Sequence, residues 1–225
     1  GRAKLRFLRN GLAIRGSISI GIRWMINNLS VLVTGSARLD VYRKAGDSLL
    51  GRHEFLHLLP LSVGETASDS LRPPPEDWLH LEGRNLSTAW KDLEKYTCFP
   101  EPFLKQEGNF ANRWSRRRHE LLLNEDIRDL SEVKNLSQVE HLALLLPDRV
   151  GSLLWLNALR EEIGIAHDTV SNWIQILDRL YYCFRLRPYT EKFSRSLKKE
   201  TKLYLWDWTV IQNEDARFEN MVAYH

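Results

Sequence analysis

The apolar residues of this chain follow a strand rhythm near its start, a helical rhythm through its middle and a strand rhythm again toward its end. Val31, Leu32 and Val33, closed by Gly35, predict a short buried strand over 30–34, and a second strand is predicted over 55–61. Residues 39–50 read as a short helix or turn between them. The run LRPPPEDW at 71–78 excludes regular structure, because each proline lacks a backbone donor and restricts the residue before it. Leu86, Ala89, Trp90 and Leu93 share one face of a helix predicted over 85–95, which CFPEPF at 98–103 breaks. A helix bearing Arg116, Arg117 and Arg118 is predicted over 113–126, followed by short helical pieces over 127–133.

The clearest periodicity begins at Ser137. Val139, Leu142, Ala143 and Leu146 mark a helix stopped by Pro147. A second helix, capped by Asn157, carries Leu159 and Ile163 and ends at Gly164, where a left-handed residue is wanted. A third, capped by Asp168, places Val170, Trp173, Ile174, Leu177, Leu180 and Tyr181 in one apolar stripe. Then 183–189 alternates Phe184 and Leu186, on the buried side, with Arg185 and Arg187; 202–208 is a second such run, joined through the basic turn EKFSRSLKKE. Three helices followed by two strands predict a winged helix-turn-helix.

Composition changes this picture little. The chain has 225 residues, 43% apolar and 27% charged, which suits a soluble globular protein able to bury a core. Its net charge of +3 is unevenly placed: residues 1–39 hold seven basic side chains and no acid, and a second basic cluster lies over 185–202. Such clusters attract phosphates or anionic lipid, or are simply solvated. The apolar stretch at 17–34 is interrupted by Arg23, Asn27 and Asn28, so no membrane partner is expected. Its arginine-bearing start lacks the amphipathic run of a transit peptide. Cys98 and Cys183 stand far apart, and the histidines are scattered, so neither a disulfide framework nor a metal site is expected; a reducing, cytoplasmic setting is.

Candidate chemistry is sparse. Gly16 and Gly21 have the glycine spacing of a phosphate-cradling loop, but Ile22 and Arg23 occupy the positions that need lysine and a hydroxyl. No strand ending in a magnesium-binding acid precedes residue 31, and no nucleophile elbow supports a Ser-His-Asp triad. The third helix of the winged-helix segment offers His167, Thr169, Asn172, Gln175 and Arg179 outward. Asn and Gln can pair with an adenine edge, while Arg179 and the wing residues Lys192, Arg195, Lys198, Lys199 and Lys202 can meet phosphates. Asp178 on the same side would repel DNA, and the same polar face would equally serve protein contacts.

The ordered set VLVTGSARLDVYR, SLLGR, PLS, FPEPF, NEDIRDLSEV, LLPDRVGS, TVSNWIQILDRLYYCFRLRPY, SLKKETKLYLWDW and RFEN resembles a bacterial and archaeal family of AAA-type P-loop ATPases. The resemblance covers residues 31–225. It implies a mixed α/β fold in five parts: an unassigned basic segment over 1–30, the C-terminal part of an ATPase core over 31–66, a helical lid over 67–135, a winged helix over 136–200, and the start of a C-terminal α/β, nuclease-like domain over 201–225. In the family's terms Ser36 stands at the sensor position near the terminal phosphate, and Arg52 looks like the arginine that faces nucleotide across a subunit boundary. Glu219 would lie in the first helix of the nuclease-like unit, and Cys98 stands where the family usually has glycine. The resemblance implies ATP and magnesium as cofactors of a full-length parent, a homo-oligomer, and DNA as a further partner. Because 1–30 do not match the family and no P-loop precedes residue 31, the chain reads as a fragment expected to be inactive toward ATP alone. The alternative from a different class is a winged-helix DNA-binding or scaffold protein that uses no nucleotide.

Overall fold

A computed structural model describes residues 19–26, 29–35, 53–67, 86–123, 127, 135–189 and 200–225. The chain is mixed α/β and mostly helical. Strands β1 (Ser19–Ile26), β2 (Leu29–Gly35) and β3 (His53–Leu58) form a sheet ordered β2-β1-β3. Both outer strands pair antiparallel to β1, in registers that set Arg23 opposite Leu32 on one side and Glu54 on the other. The strand predicted over 30–34 is thus longer by a residue at each end. The one predicted over 55–61 starts earlier and stops at Leu58, since Pro60 has no donor to extend the ladder. A P-loop core is assembled from parallel strand–helix–strand units. Of the strands within 31–66, β2 and β3 run in the same direction but do not pair with each other; both flank β1, from the segment left unassigned, and a P-loop core is not shown among the described residues. The helix or turn at 39–50 and the proline run at 71–78 lie outside the described residues, as do all but residue 127 of the helical pieces expected over 127–133.

The helical part opens with α1 (Val63–Thr66), capped reciprocally by Ser62 and Glu65. Helix α2 (Ser87–Tyr96) buries Ala89 and Leu93, two of the four residues predicted to share its face, and ends where Thr97 turns to φ 68°. The expected break at CFPEPF is shorter than predicted. Pro100 and Pro102 enter the first turn of α3 (Pro100–Lys105), where a missing N–H costs no helical bond. Gln106, at φ 53°, ends α3, and α4 (Gly108–Leu121) starts five residues before the predicted 113.

Helix α5 (Leu136–Leu145) buries Val139, Leu142 and Ala143. Pro147 falls inside the 3-10 turn Leu146–Arg149 that prolongs it. Helices α6 (Leu156–Ile163) and α7 (His167–Arg179) follow, joined through Gly164 at φ 76°. Neither predicted cap acts as one. Trp155 and Ala166 hold the cap positions without side-chain bonds, Asn157 lies inside α6 accepting from Arg160 Nε at 3.1 Å, and Asp168 lies in the first turn of α7. Short polar side chains also favour the first turn, where a carboxylate meets the positive end of the helix, so residue type alone misplaced both starts.

Strands β4 (Cys183–Leu186) and β5 (Lys202–Leu205) pair antiparallel. A 3-10 turn, Trp208–Val210, leads to α8 (Glu214–Tyr224). The single buried face predicted for β4 is not what forms, since both sides are partly covered. Cys183 is fully buried and Leu186 is exposed, while Phe184 stacks on Tyr204 across the ladder, 5.5 Å between ring centres. The outer edge of β5 is occupied as well: Leu154 N donates to Thr201 O at 2.8 Å and Gly151 N to Leu203 O at 3.1 Å. Residues 201–225 therefore belong to the same packed body. The boundary expected between 200 and 201 falls next to a strand that the preceding segment pairs with, and the buried core runs from Val63 to Met221 without interruption. Trp208, Phe99, Leu93, Ile174 and Leu177 are among its fully buried side chains. Each buried leucine, isoleucine or phenylalanine contributes about 1.5–3 kcal/mol relative to exposure. Among the described residues no helix is long and apolar enough to cross a membrane.

Candidate nucleic-acid interface

The physical reason α7 presents a defined outer face is the width of its buried stripe. Val170, Trp173, Ile174, Ile176, Leu177 and Leu180 are all buried, so the helix cannot roll without exposing several of them. Ile176 was absent from the predicted stripe, and Tyr181, included in it, is only half-buried at φ 54°, just past the helix end. What remains outside is a strip in which His167, Asn172, Gln175 and Arg179 are exposed and Thr169 is half-buried. Positions 168, 172, 175 and 179 follow the three- and four-residue spacing of one helix face. Among the described residues neither the Asn172 nor the Gln175 amide has a hydrogen-bond partner, and Arg179 has no ion pair, so their donors and acceptors face solvent.

Asp178, expected to repel DNA, is engaged. Arg185 Nη2 and Nε both donate to Asp178 Oδ2, at 2.9 and 3.2 Å, tying α7 to β4 while neutralising the carboxylate. Half-burial of both partners shields the pair from solvent, which gives it more weight than a surface ion pair.

Lys202 is engaged with a carboxylate. Its Nζ donates to Glu219 Oε1 at 2.9 Å, and the Tyr204 hydroxyl donates to the same oxygen at 2.9 Å. Those bonds, Lys202's foremost, hold the Glu219 carboxyl below its ordinary range. Gly151 closes over the same carboxylate, for a Cβ there would lie 2.8 Å from Glu219 Oε2. The structure thus gives Lys202 and Glu219 to the junction between the hairpin and α8. Lys192, Arg195, Lys198 and Lys199 lie outside the described residues, as do Ser36 and Arg52.

Two polar features escaped the sequence reading. Asp207 is buried and accepts from Ser115 Oγ (2.6 Å), Thr209 Oγ1 (2.6 Å) and Thr209 N (3.2 Å). Burial alone would raise its carboxyl pKa, but the charges of His119 and Arg118 and the two hydroxyl bonds outweigh it and lower the pKa. His119, pushed toward its neutral form by burial, meets the Tyr182 ring at a tilt, 5.1 Å between ring centres, and Arg118 lies over the Phe99 ring and donates to Tyr181 O at 3.1 Å. Ser115 and Asp207 are sealed from solvent, so this is an internal anchor between α4 and the turn after β5 and offers no substrate access. Beside it lies a solvent-open groove of about 440 Å3, bordered by α2, α4 and α8. Buried Cys98 and Cys183 have their thiols pushed up by desolvation and carry no reactive thiolate. No group of His, Cys, Asp and Glu among the described residues could hold a metal ion.

No curated protein and no solved structure matches the chain. A family model described as a domain of unknown function, DUF8612, matches residues 89–213, a span that begins in α2 and ends just before α8, taking in α7, the hairpin and the Asp207 anchor. Because that match covers more than half of the sequence, the chain belongs to the DUF8612 family.

Proposed function

We propose that residues 136–205 act as a winged helix that docks duplex DNA with the outer face of α7. The observation that carries this reading is the pair of uncommitted amides, Asn172 and Gln175, exposed beside Arg179 on a helix whose opposite side is fixed by the core. Paired donors and acceptors of this kind match an adenine edge in the major groove, and a guanidinium at the helix end suits a phosphate. The element order supports it too: α5, α6 and α7 precede the hairpin, and Leu153 bridges to Lys202 beside β5. The ion pair from Asp178 to Arg185 neutralises one acid that would oppose it, while Asp168, exposed in the first turn of α7 on the same strip, remains a carboxylate that duplex DNA would have to pass. The test is filter binding to duplex DNA over a series of salt concentrations. Affinity should fall linearly on logarithmic axes as counterions are released; no binding at low salt would leave the protein-scaffold role for this face.

A second reading keeps the resemblance to AAA-type ATPases, in which Ser36 and Arg52 border the nucleotide of a full-length parent and the nucleotide cycle acts on the winged helix. The end of β2 at Gly35, one residue before Ser36, favours it. Since the 225 residues hold no Gly-x4-Gly-Lys-Ser/Thr loop, they do not themselves fit ATP and magnesium. Titration of this chain with labelled ATP and magnesium is expected to give no tight binding, and tight binding would refute that statement.

A further inference from the structure

The groove beside the Asp207 anchor has a composition of its own. Among the described residues Lys91 and Lys95, one turn apart on α2, and Arg217 of α8 border it, with Asn112 of α4, Thr209 and one carboxylate, Glu94. Three cations from two separate helices therefore face one acid across a concave surface of about 440 Å3. Their charges are poorly spent inside the protein. Among the described residues Arg217 reaches only Glu214, at 4.0 Å, and the carbonyl of Ile211, at 3.4 Å; Lys95 rests over the Tyr96 ring; Lys91 has no ion-pair partner. Thr209 cannot supply a donor, since its hydroxyl proton goes to Asp207. Its bond instead links the groove to a buried carboxylate held by α4.

We propose that this groove is a binding site for phosphate groups, distinct from the outer face of α7. Converging cations in a concavity concentrate a multiply charged anion more strongly than the same charges spread over a convex face. Arg217 offers the planar fork that suits two phosphate oxygens, and the lysines act as mobile point charges beside it. Among the described residues no aromatic ring or large apolar side chain lines the space, so these side chains offer charge and nothing to stack on a base. The phosphates come either from a free polyphosphate or from a nucleic-acid backbone, and the same lysines serve both.

Calorimetric titration separates the sources. The full chain is titrated at low salt with inorganic tripolyphosphate and, separately, with duplex DNA, alongside the Lys91→Ala/Lys95→Ala double variant. Both lysines are exposed, so the variant should keep its melting temperature. The expected result is affinity reduced by about tenfold or more, with at least one probe, on removal of two phosphate-facing charges. Loss confined to tripolyphosphate assigns a free anion, and loss confined to DNA assigns the backbone. Arg217→Lys, which keeps the charge and removes the fork, should weaken binding of the same probe. The Asn172→Ala/Gln175→Ala variant should leave tripolyphosphate binding unchanged, so failure of the α7 reading is distinguishable from failure of this one. Equal affinity of the wild type and the double lysine variant for both probes, or no binding of either, would overturn the proposal.

Discussion

The side-chain amide of Asn220 pairs with both backbone groups of Leu205: Oδ1 accepts from Leu205 N at 2.7 Å and Nδ2 donates to Leu205 O at 2.8 Å. Leu205 points these groups away from β4, as Thr201 and Leu203 point their carbonyls, so α8 completes an edge that would otherwise be left open. A residue on a helix here stands in for a missing neighbouring strand.

Asn220→Ala should therefore destabilise the fold by about 2–4 kcal/mol, because two buried backbone groups lose their partners at once. Asn220→Asp should be no milder, since it keeps the acceptor, removes the donor and buries a charge. Urea denaturation followed by tryptophan fluorescence measures both, and a loss below about 0.5 kcal/mol for Asn220→Ala would show that water replaces the amide.

Asp207 is the internal anchor of the same region. Asp207→Ala should cost about 2–4 kcal/mol, as it removes the buried acceptor of two hydroxyls and of the Thr209 N–H. Its pH signature has a defined sign. The folded-state pKa lies below the unfolded one, so the carboxylate stabilises the fold above about pH 3.9 and that contribution is lost as pH falls through the folded value. Asp207→Asn should flatten the acid limb of a stability-versus-pH curve; an unchanged limb would mean that other carboxylates set it.

His225 gives the opposite kind of group a window of its own. Its ring lies against Trp90, Trp208 and Tyr224, and its Nδ1 accepts from Val63 N at 3.3 Å, which requires that nitrogen to be unprotonated. Burial of the ring pushes its pKa down to about 4, although the residue as a whole keeps more than a third of its surface. The unfolded chain takes up the proton first, near pH 6.5, so the stability contributed is full above that value and declines as pH falls toward 4. Thermal melts at pH 5 and pH 7.5 should differ more in the wild type than in His225→Gln, and equal differences would remove His225 as the cause.

How much of this was legible in the sequence depends on the range of the interaction. The α7 stripe was legible because Val170, Trp173, Ile174 and Leu177 repeat within one helix, and Gly164 because a left-handed turn there favours one residue type. The face of β4 was not. Cys183 packs inward while Phe184 packs on Tyr204 and Trp206, so both sides of the strand are partly covered and alternation lost its meaning. The Asp207 anchor joins residues 92 positions apart, and the amide of Asn220 imitates a strand from within a helix; no local pattern announces either. Of the predicted site, Asn172, Gln175 and Arg179 share an exposed face, whereas Lys202 turned to Glu219, a partner 17 residues on that only the packing of α8 supplies.

The most direct measurement is duplex-DNA affinity at low salt for the wild type and for the Asn172→Asp/Gln175→Glu double variant, with melting temperatures recorded beside it. Both positions are exposed and, among the described residues, without hydrogen-bond partners, so stability should stay within about 0.5 kcal/mol. DNA docking through α7 predicts a loss of tenfold or more, about 1.4 kcal/mol, as two carboxylates replace amides against the duplex. Unchanged affinity in a variant that folds normally would contradict it.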